Sequence, residues 1–237
     1  MNAKKIVAAL LAVVLLIGIG VGGTLAWLFD FTDEVQNTFT VGNINIDLKE
    51  TVNGVDSSAK TNRVENDTFK IIPGTTQPKD PTVIVEKNSE DCYVFVEITA
   101  VNTTVENLTY KVGSNEFTEN VTFVQWAIAD GWTELDGVEN VYYREYTSGN
   151  KETYAVLAGD KVSYSKDLTK AQIDALQNYI EETSTDNPAE GLPSLTFKAY
   201  AVQMDYSNSD GNAAKFTAQE AWNVANGRNP DGTTPNP

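Results

Sequence analysis

The sequence contains no histidine and a single cysteine in 237 residues. Without histidine there is no Ser-His-Asp or Cys-His catalytic pair, no H-E-x-x-H zinc site and no imidazole acid or base. One cysteine makes no internal disulfide and supplies no thiolate cluster for a metal. Positive charge is also scarce: 17 Lys and Arg stand against 33 Asp and Glu, a formal net charge of -16. So acidic a surface repels phosphate backbones, and no nucleic acid partner is expected. What is present suffices for a core, because 41% of the residues are apolar and 10% aromatic, a composition outside the disordered class.

The N-terminus reads as an export signal. Lys4 and Lys5 precede an uncharged run from Ile6 to Phe29 that turns glycine-rich at Gly18, Gly20, Gly22 and Gly23 and then reads Thr24-Leu25-Ala26. A basic region, an apolar stretch and a small residue at the end predict cleavage between Ala26 and Trp27, with residues 1–26 as signal peptide. The rival is an uncleaved anchor, since the run is long enough to span a bilayer. Either way the lysines stay inside and Asp30, Asp33 and Glu34 go outside. Gly18-Ile19-Gly20-Val21-Gly22-Gly23 also fits G-x-G-x-x-G. It lies between an apolar export stretch and a cleavage site, with no strand before it or helix after it, so it is not a dinucleotide site.

Beyond residue 26 the chain reads as short strands. Ile44, Ile46 and Leu48 alternate with Asn45, Asp47 and Lys49. Phe69-Lys70-Ile71-Ile72 runs into a Pro73-Gly74 turn. Thr82–Glu86 and Tyr93–Thr99 flank a polar loop, as a hairpin would. Further strands are expected at Thr109–Val112, Thr122–Ala127, Val141–Tyr146, Thr153–Leu157 and Lys161–Tyr164. A long one at Leu195–Met204 sets Leu195, Phe197, Ala199 and Ala201 on one face and Thr196, Lys198, Tyr200 and Val202 on the other. Two helices interrupt. Thr169-Lys170-Ala171-Gln172 is a capping box with a stripe of Ala171, Ile173, Leu176 and Ile180, and Thr217-Ala218-Gln219-Glu220 opens a short helix that stops at Gly227. The expected fold is mainly β: a jelly-roll-like antiparallel β-sandwich over residues 43–227, with one or two short inserted helices. The Pro/Gly tail over 228–237 reads as disordered.

Gly22-Gly23-Thr24-Leu25-Ala26-Trp27-Leu28-Phe29-Asp30, followed by Asn37-Thr38-Phe39-Thr40-Val41-Gly42-Asn43-Ile44-Asn45-Ile46-Asp47-Leu48, resembles the start of the TasA/CalY (camelysin) family of Firmicutes. The resemblance is most specific from Gly18 to Leu48, weaker over the Pro-Gly turn and paired strands up to Val101, and weaker again over Thr196–Ala225. It implies export by a SipW-type signal peptidase and a jelly-roll domain, secreted into the extracellular matrix or held at the cell surface. It further implies polymerisation into biofilm-matrix fibres, with an accessory matrix protein as a further partner. In fibre-forming members the segment after the cleavage site inserts as a strand into the neighbouring subunit. Here that donor segment is 27–42, with Trp27, Leu28, Phe29 and Phe31 as its assembly residues. Such side chains on a freed N-terminus must pack on their own domain or on another copy, and head-to-tail addition that does not close makes a filament.

Other chemical signals are weak. Ser163-Tyr164-Ser165-Lys166 fits S-x-x-K, but no Ser-Asp-Asn or Lys-Thr-Gly accompanies it. Asn208-Ser209-Asp210-Gly211-Asn212 is similar to a Ca²⁺ loop, yet its register would put Tyr206 first and Thr217 twelfth, so it reads as a surface turn. Ca²⁺ held by scattered carboxylates has no motif behind it, and no cofactor is expected. Cys92 shares a face with Val94, Val96 and Ile98, as a buried inert thiol would. Trp126, Trp132 and Trp222 read as packing aromatics before carbohydrate platforms. The sequons at Asn66, Asn102, Asn107 and Asn120 read as polar strand and turn sequence. Camelysin is a metallopeptidase, but a chain without histidine lacks the usual zinc ligands, so no enzyme is expected. The expectation is a self-assembling fibre subunit; the alternatives are a monomeric surface module binding glycan or protein and, behind it, a camelysin-like peptidase.

Overall fold

The computed structural model describes residues 29–31, 44–50, 71–183, 191–207 and 212–235; for 29–31 it describes the backbone strand. In chain order the strands are β1 (Phe29–Phe31), β2 (Ile46–Lys49), β3 (Thr76–Pro78), β4 (Thr82–Val85), β5 (Cys92–Val101), β6 (Thr104–Val112), β7 (Asn115–Thr122), β8 (Val124–Gln125), β9 (Thr133–Glu134), β10 (Val141–Tyr146), β11 (Glu152–Ala155) and β12 (Lys161–Tyr164). Helix α1 (Lys170–Thr183) precedes β13 (Ser194–Gln203), β14 (Asp205–Ser207), β15 (Ala213–Lys215) and helix α2 (Ala218–Ala225).

The fold is an antiparallel β-sandwich. A five-stranded sheet in the order β1-β13-β5-β10-β9 faces a three-stranded sheet, β11-β4-β2. Between them lie Ile46, Val83, Val85, Cys92, Val94, Val96, Ala199, Ala201 and Tyr146. The alternation of β13 puts Ala199 and Ala201 into this layer and turns Tyr200 and Val202 to the opposite face. There α2 covers them, with Ala221, Trp222 and Val224 packed on Tyr93, Phe95, Tyr200 and Val202. The central strand β5 is thus buried on both faces, which is why Cys92-Tyr93-Val94-Phe95-Val96 is apolar without a break. Fully burying side chains of this size is worth about 1.5–3 kcal/mol each.

The segments Thr82–Glu86 and Tyr93–Thr99 do not form the expected hairpin. Strand β4 pairs with β2 and β11, whereas β5 pairs with β13 and β10. The loop between them crosses from one sheet to the other. Buried Ser89 fastens it: its Oγ donates to the Glu86 carbonyl at 2.7 Å and accepts from the Asn45 N–H at 3.2 Å. Face-to-face packing lets Val83 and Val85 share a core with Cys92 and Val94, a burial that edge-to-edge pairing would not provide.

A third cluster lies under α1, where Leu176 and Ile180 meet Val105, Leu108, Val121, Phe123 and Tyr164. The Thr169 capping box forms: the Gln172 N–H donates to Thr169 Oγ1 and the Thr169 N–H to Gln172 Oε1. The buried stripe is Gln172, Leu176 and Ile180, not one that includes Ala171. Gln172 can be buried because its Nε2 donates to Glu119 Oε1 at 2.7 Å, on the β6–β7 hairpin. The expected strand over Thr122–Ala127 is shorter, since β7 ends at Thr122 and β8 holds two residues. Residues 228–235, expected to be disordered, form a turn. Gly232 N–H donates to the Asn229 carbonyl, Asn229 N–H to that of Thr233, and Asn223 Nδ2 to that of Pro230. Among the described residues no helix is long and apolar enough to cross a membrane.

Candidate assembly edge

Of the four expected assembly residues, Trp27 and Leu28 lie outside the described residues, as do the cleavage position at Ala26 and most of segment 27–42. Phe29 and Phe31 fall on β1. This strand runs antiparallel along the outer edge of β13, with Phe29 opposite Val202, Asp30 opposite Ala201 and Phe31 opposite Tyr200. The register thus sets positions 29 and 31 beside the two β13 residues that face α2. It covers three of the ten residues of β13, whose other side pairs with β5 along its whole length. Residues 29–31 thus line the edge of the largest described sheet of their own chain.

The floor beside this edge is built of packed aromatic side chains. Tyr200 is buried, its ring meets Trp222 edge-on at 5.1 Å, and its hydroxyl donates to Glu97 Oε2 at 2.6 Å. Trp222 also lies 5.4 Å from Phe95, and Lys198 Nζ sits 4.9 Å from the Tyr200 ring centroid. Helix α2 holds Trp222 in place through both its ends. Thr217 Oγ1 accepts from the Glu220 N–H while the Glu220 side chain accepts from the Thr217 N–H. At the other end Arg228 N–H returns to the Asn223 carbonyl past Gly227, whose φ of 67° suits glycine. On the same face Tyr93 donates its hydroxyl to the Phe216 carbonyl at 3.1 Å, and Phe216 stacks on Tyr206 at 4.2 Å.

The remaining sequence candidates do not converge on this edge or on one another. Cys92 is fully buried, and burial, reinforced by the negative charge of Asp91, pushes its thiol up to about 12. Such a thiol is a poor nucleophile at neutral pH. Ser163 lies mid-strand in β12 with its Oγ on the Gln125 carbonyl at 3.4 Å, and Lys166 follows in an exposed turn. Trp132 and Trp222 are buried and Trp126 is half-buried, so all three serve packing. Asn102 and Asn107 have φ of 48° and 52°, the left-handed turn geometry that asparagine tolerates. Asn66 and Asn208–Gly211 lie outside the described residues. Among the described residues no group of three or more Cys, Asp or Glu side chains could hold a metal ion. Sequence reasoning missed Tyr200, Glu97 and Trp222 as the floor of the edge. The double-sided apolar pattern of Leu195–Met204 was the available signal.

Comparison with protein-family models, with curated proteins and with solved structures gives no match.

Proposed function

We propose that this chain is an exported structural subunit that builds extracellular matrix fibres by exchanging its N-terminal strand between copies, as its resemblance to the TasA/CalY family implies. The observation that carries the reading is the register of β1 on β13. A three-residue strand at a sheet edge makes few bonds, and the same backbone bonds can be made to a neighbour's β13. Cis and trans pairing differ little in contacts, so protein concentration and loop closure decide between them. On this reading Trp27, Leu28, Phe29 and Phe31 leave their own domain and fill the neighbour's edge.

The test is negative-stain electron microscopy of Trp27–Pro237 beside a chain beginning at Asn37. Filaments from the longer chain alone support strand exchange. Monomers from both overturn self-assembly and favour a surface binding module. To locate the strand, Asp30→Cys and Ala201→Cys are placed on separate chains, each also carrying Cys92→Ser. A disulfide joining the two chains in the filament is expected; filaments without it overturn the exchange.

A further inference from the structure

On the far side of the sandwich from β1, the edges β9–β10 and β11 of the two facing sheets come together around Arg144. Its guanidinium carbon lies 3.8 Å from the Tyr154 ring centroid and 5.4 Å from that of Trp132. The two rings meet edge to face at 6.3 Å and 81°. Trp132 is held in place by its indole N–H, which donates to the Ala155 carbonyl of β11 at 2.8 Å and so ties the two sheets together. The third wall is the backbone of Gly131. A methyl group there would come within 2.8 Å of Nη2, and its φ of 88° is itself a glycine conformation. The chain thus builds a slot for one guanidinium from three separate segments.

The slot occupies the faces of the guanidinium and leaves its in-plane N–H donors. Lys49 and Lys79, also half-buried, meet Asp47 and Glu50 at 3.6 and 2.6 Å. Among the described residues Arg144 makes neither an ion pair nor a hydrogen bond to a side chain or carbonyl. Asp130 precedes Gly131 in the chain, Glu145 follows Arg144 on β10 and Glu152 lies two residues before Tyr154 on β11, and none of the three is an ion-pair partner of Arg144. In a chain with about two acids for every base, a half-buried cation with no carboxylate partner among the described residues is a notable arrangement, because partners are abundant. Stacking fixes the plane of the fork, so a two-oxygen ligand arriving in that plane loses little further freedom.

We infer that Arg144, walled by Tyr154, Trp132 and Gly131, is a binding site for a carboxylate, taken in the plane of the guanidinium. The carboxylate comes either from another copy of this acidic chain or from a free organic acid. Neither source involves β1, so the site stands apart from strand exchange.

The chain has three arginines, Arg63, Arg144 and Arg228, so their Nε–Hε signals are resolvable in the ¹⁵N-arginine-labelled full chain, with Arg144→Lys for assignment. Succinate is titrated at constant ionic strength, and protein concentration is varied separately. A saturable shift of the Arg144 signal with succinate, absent at Arg228, is expected for a free acid, and a shift with protein concentration alone for a second copy. Tyr154→Leu should weaken either by about three-fold. No shift in either titration, an equal shift at Arg228, or an equal response to inorganic phosphate overturns the assignment.

Discussion

Strand β5 has five buried residues in succession, Cys92 to Val96, whereas the first six of β7, Asn115 to Asn120, are exposed. The stretch Cys92–Val96 is covered by a sheet on one side and by α2 on the other, so it is apolar at every position. The second stands in a two-stranded hairpin with β6 and is held by pairs across the strands. Thr109 meets Thr118 and Thr104 meets Thr122 at 3.0 Å each, Tyr110 stacks on Phe117 at 5.5 Å, and Tyr110 donates to Glu119 at 2.7 Å. Such pairs are worth about 0.2–1 kcal/mol each, against several for a core side chain. Strands in one chain can therefore be specified by burial or by cross-strand chemistry, and substitutions should separate the two.

Phe95→Ala should have the largest effect, a loss of about 3–5 kcal/mol in denaturant unfolding, because it empties a fully buried site between Tyr143 and Trp222. A loss below that of a hairpin substitution would break the comparison. Next comes alkaline pH. The folded Cys92 thiol titrates near 12, above its unfolded value of 9.0, so the unfolded chain releases its proton first. The stability tied to this thiol is intact below pH 9.0 and is lost as pH climbs toward 12. Burial also raises Tyr146 and Tyr164, so the measurement is the difference in urea midpoint between the unmodified chain and Cys92→Ala at pH 8 and at pH 10.5. That difference should shift against the cysteine at the higher pH. Thr217→Ala, which removes the cap of α2, should cost about 1 kcal/mol, read from the same unfolding curves. Phe117→Ala should cost about 0.5 kcal/mol, and a double-mutant cycle with Tyr110→Ala should recover most of that as coupling.

The same contrast explains what was legible from the sequence. The alternation of Leu195–Met204, the capping boxes at Thr169 and Thr217 and the register of Cys92 are local patterns, and each fixes a face or a helix start without reference to the rest of the chain. The hairpin assigned to Thr82–Thr99 failed because two apolar strands around a polar loop look alike whether they pair edge to edge or pack face to face. The extent of β6 and β7 was missed because Thr, Glu and Asn supply no apolar period. Gln172 shows the same limit, since its burial depends on Glu119, 53 positions away. The setting of Arg144 is assembled from residues 131, 132, 144 and 154 across two sheets, and no spacing announces it. The edge at β13 was half legible: the strand was foreseen, the partner at its side was not.

The sheet order has a consequence in time. Strand β1 lies within the first 31 residues and its partner β13 begins at residue 194, so the pairing closes a loop of most of the chain. A chain made from its N-terminus exposes β1 long before β13 exists, and distant closure is slow to be rewarded with contacts. The β5–β13 pair and α2 complete their own core without it. The edge of β13 is therefore joined by the contact of this sheet most widely separated in sequence, and the one with the longest loop to close.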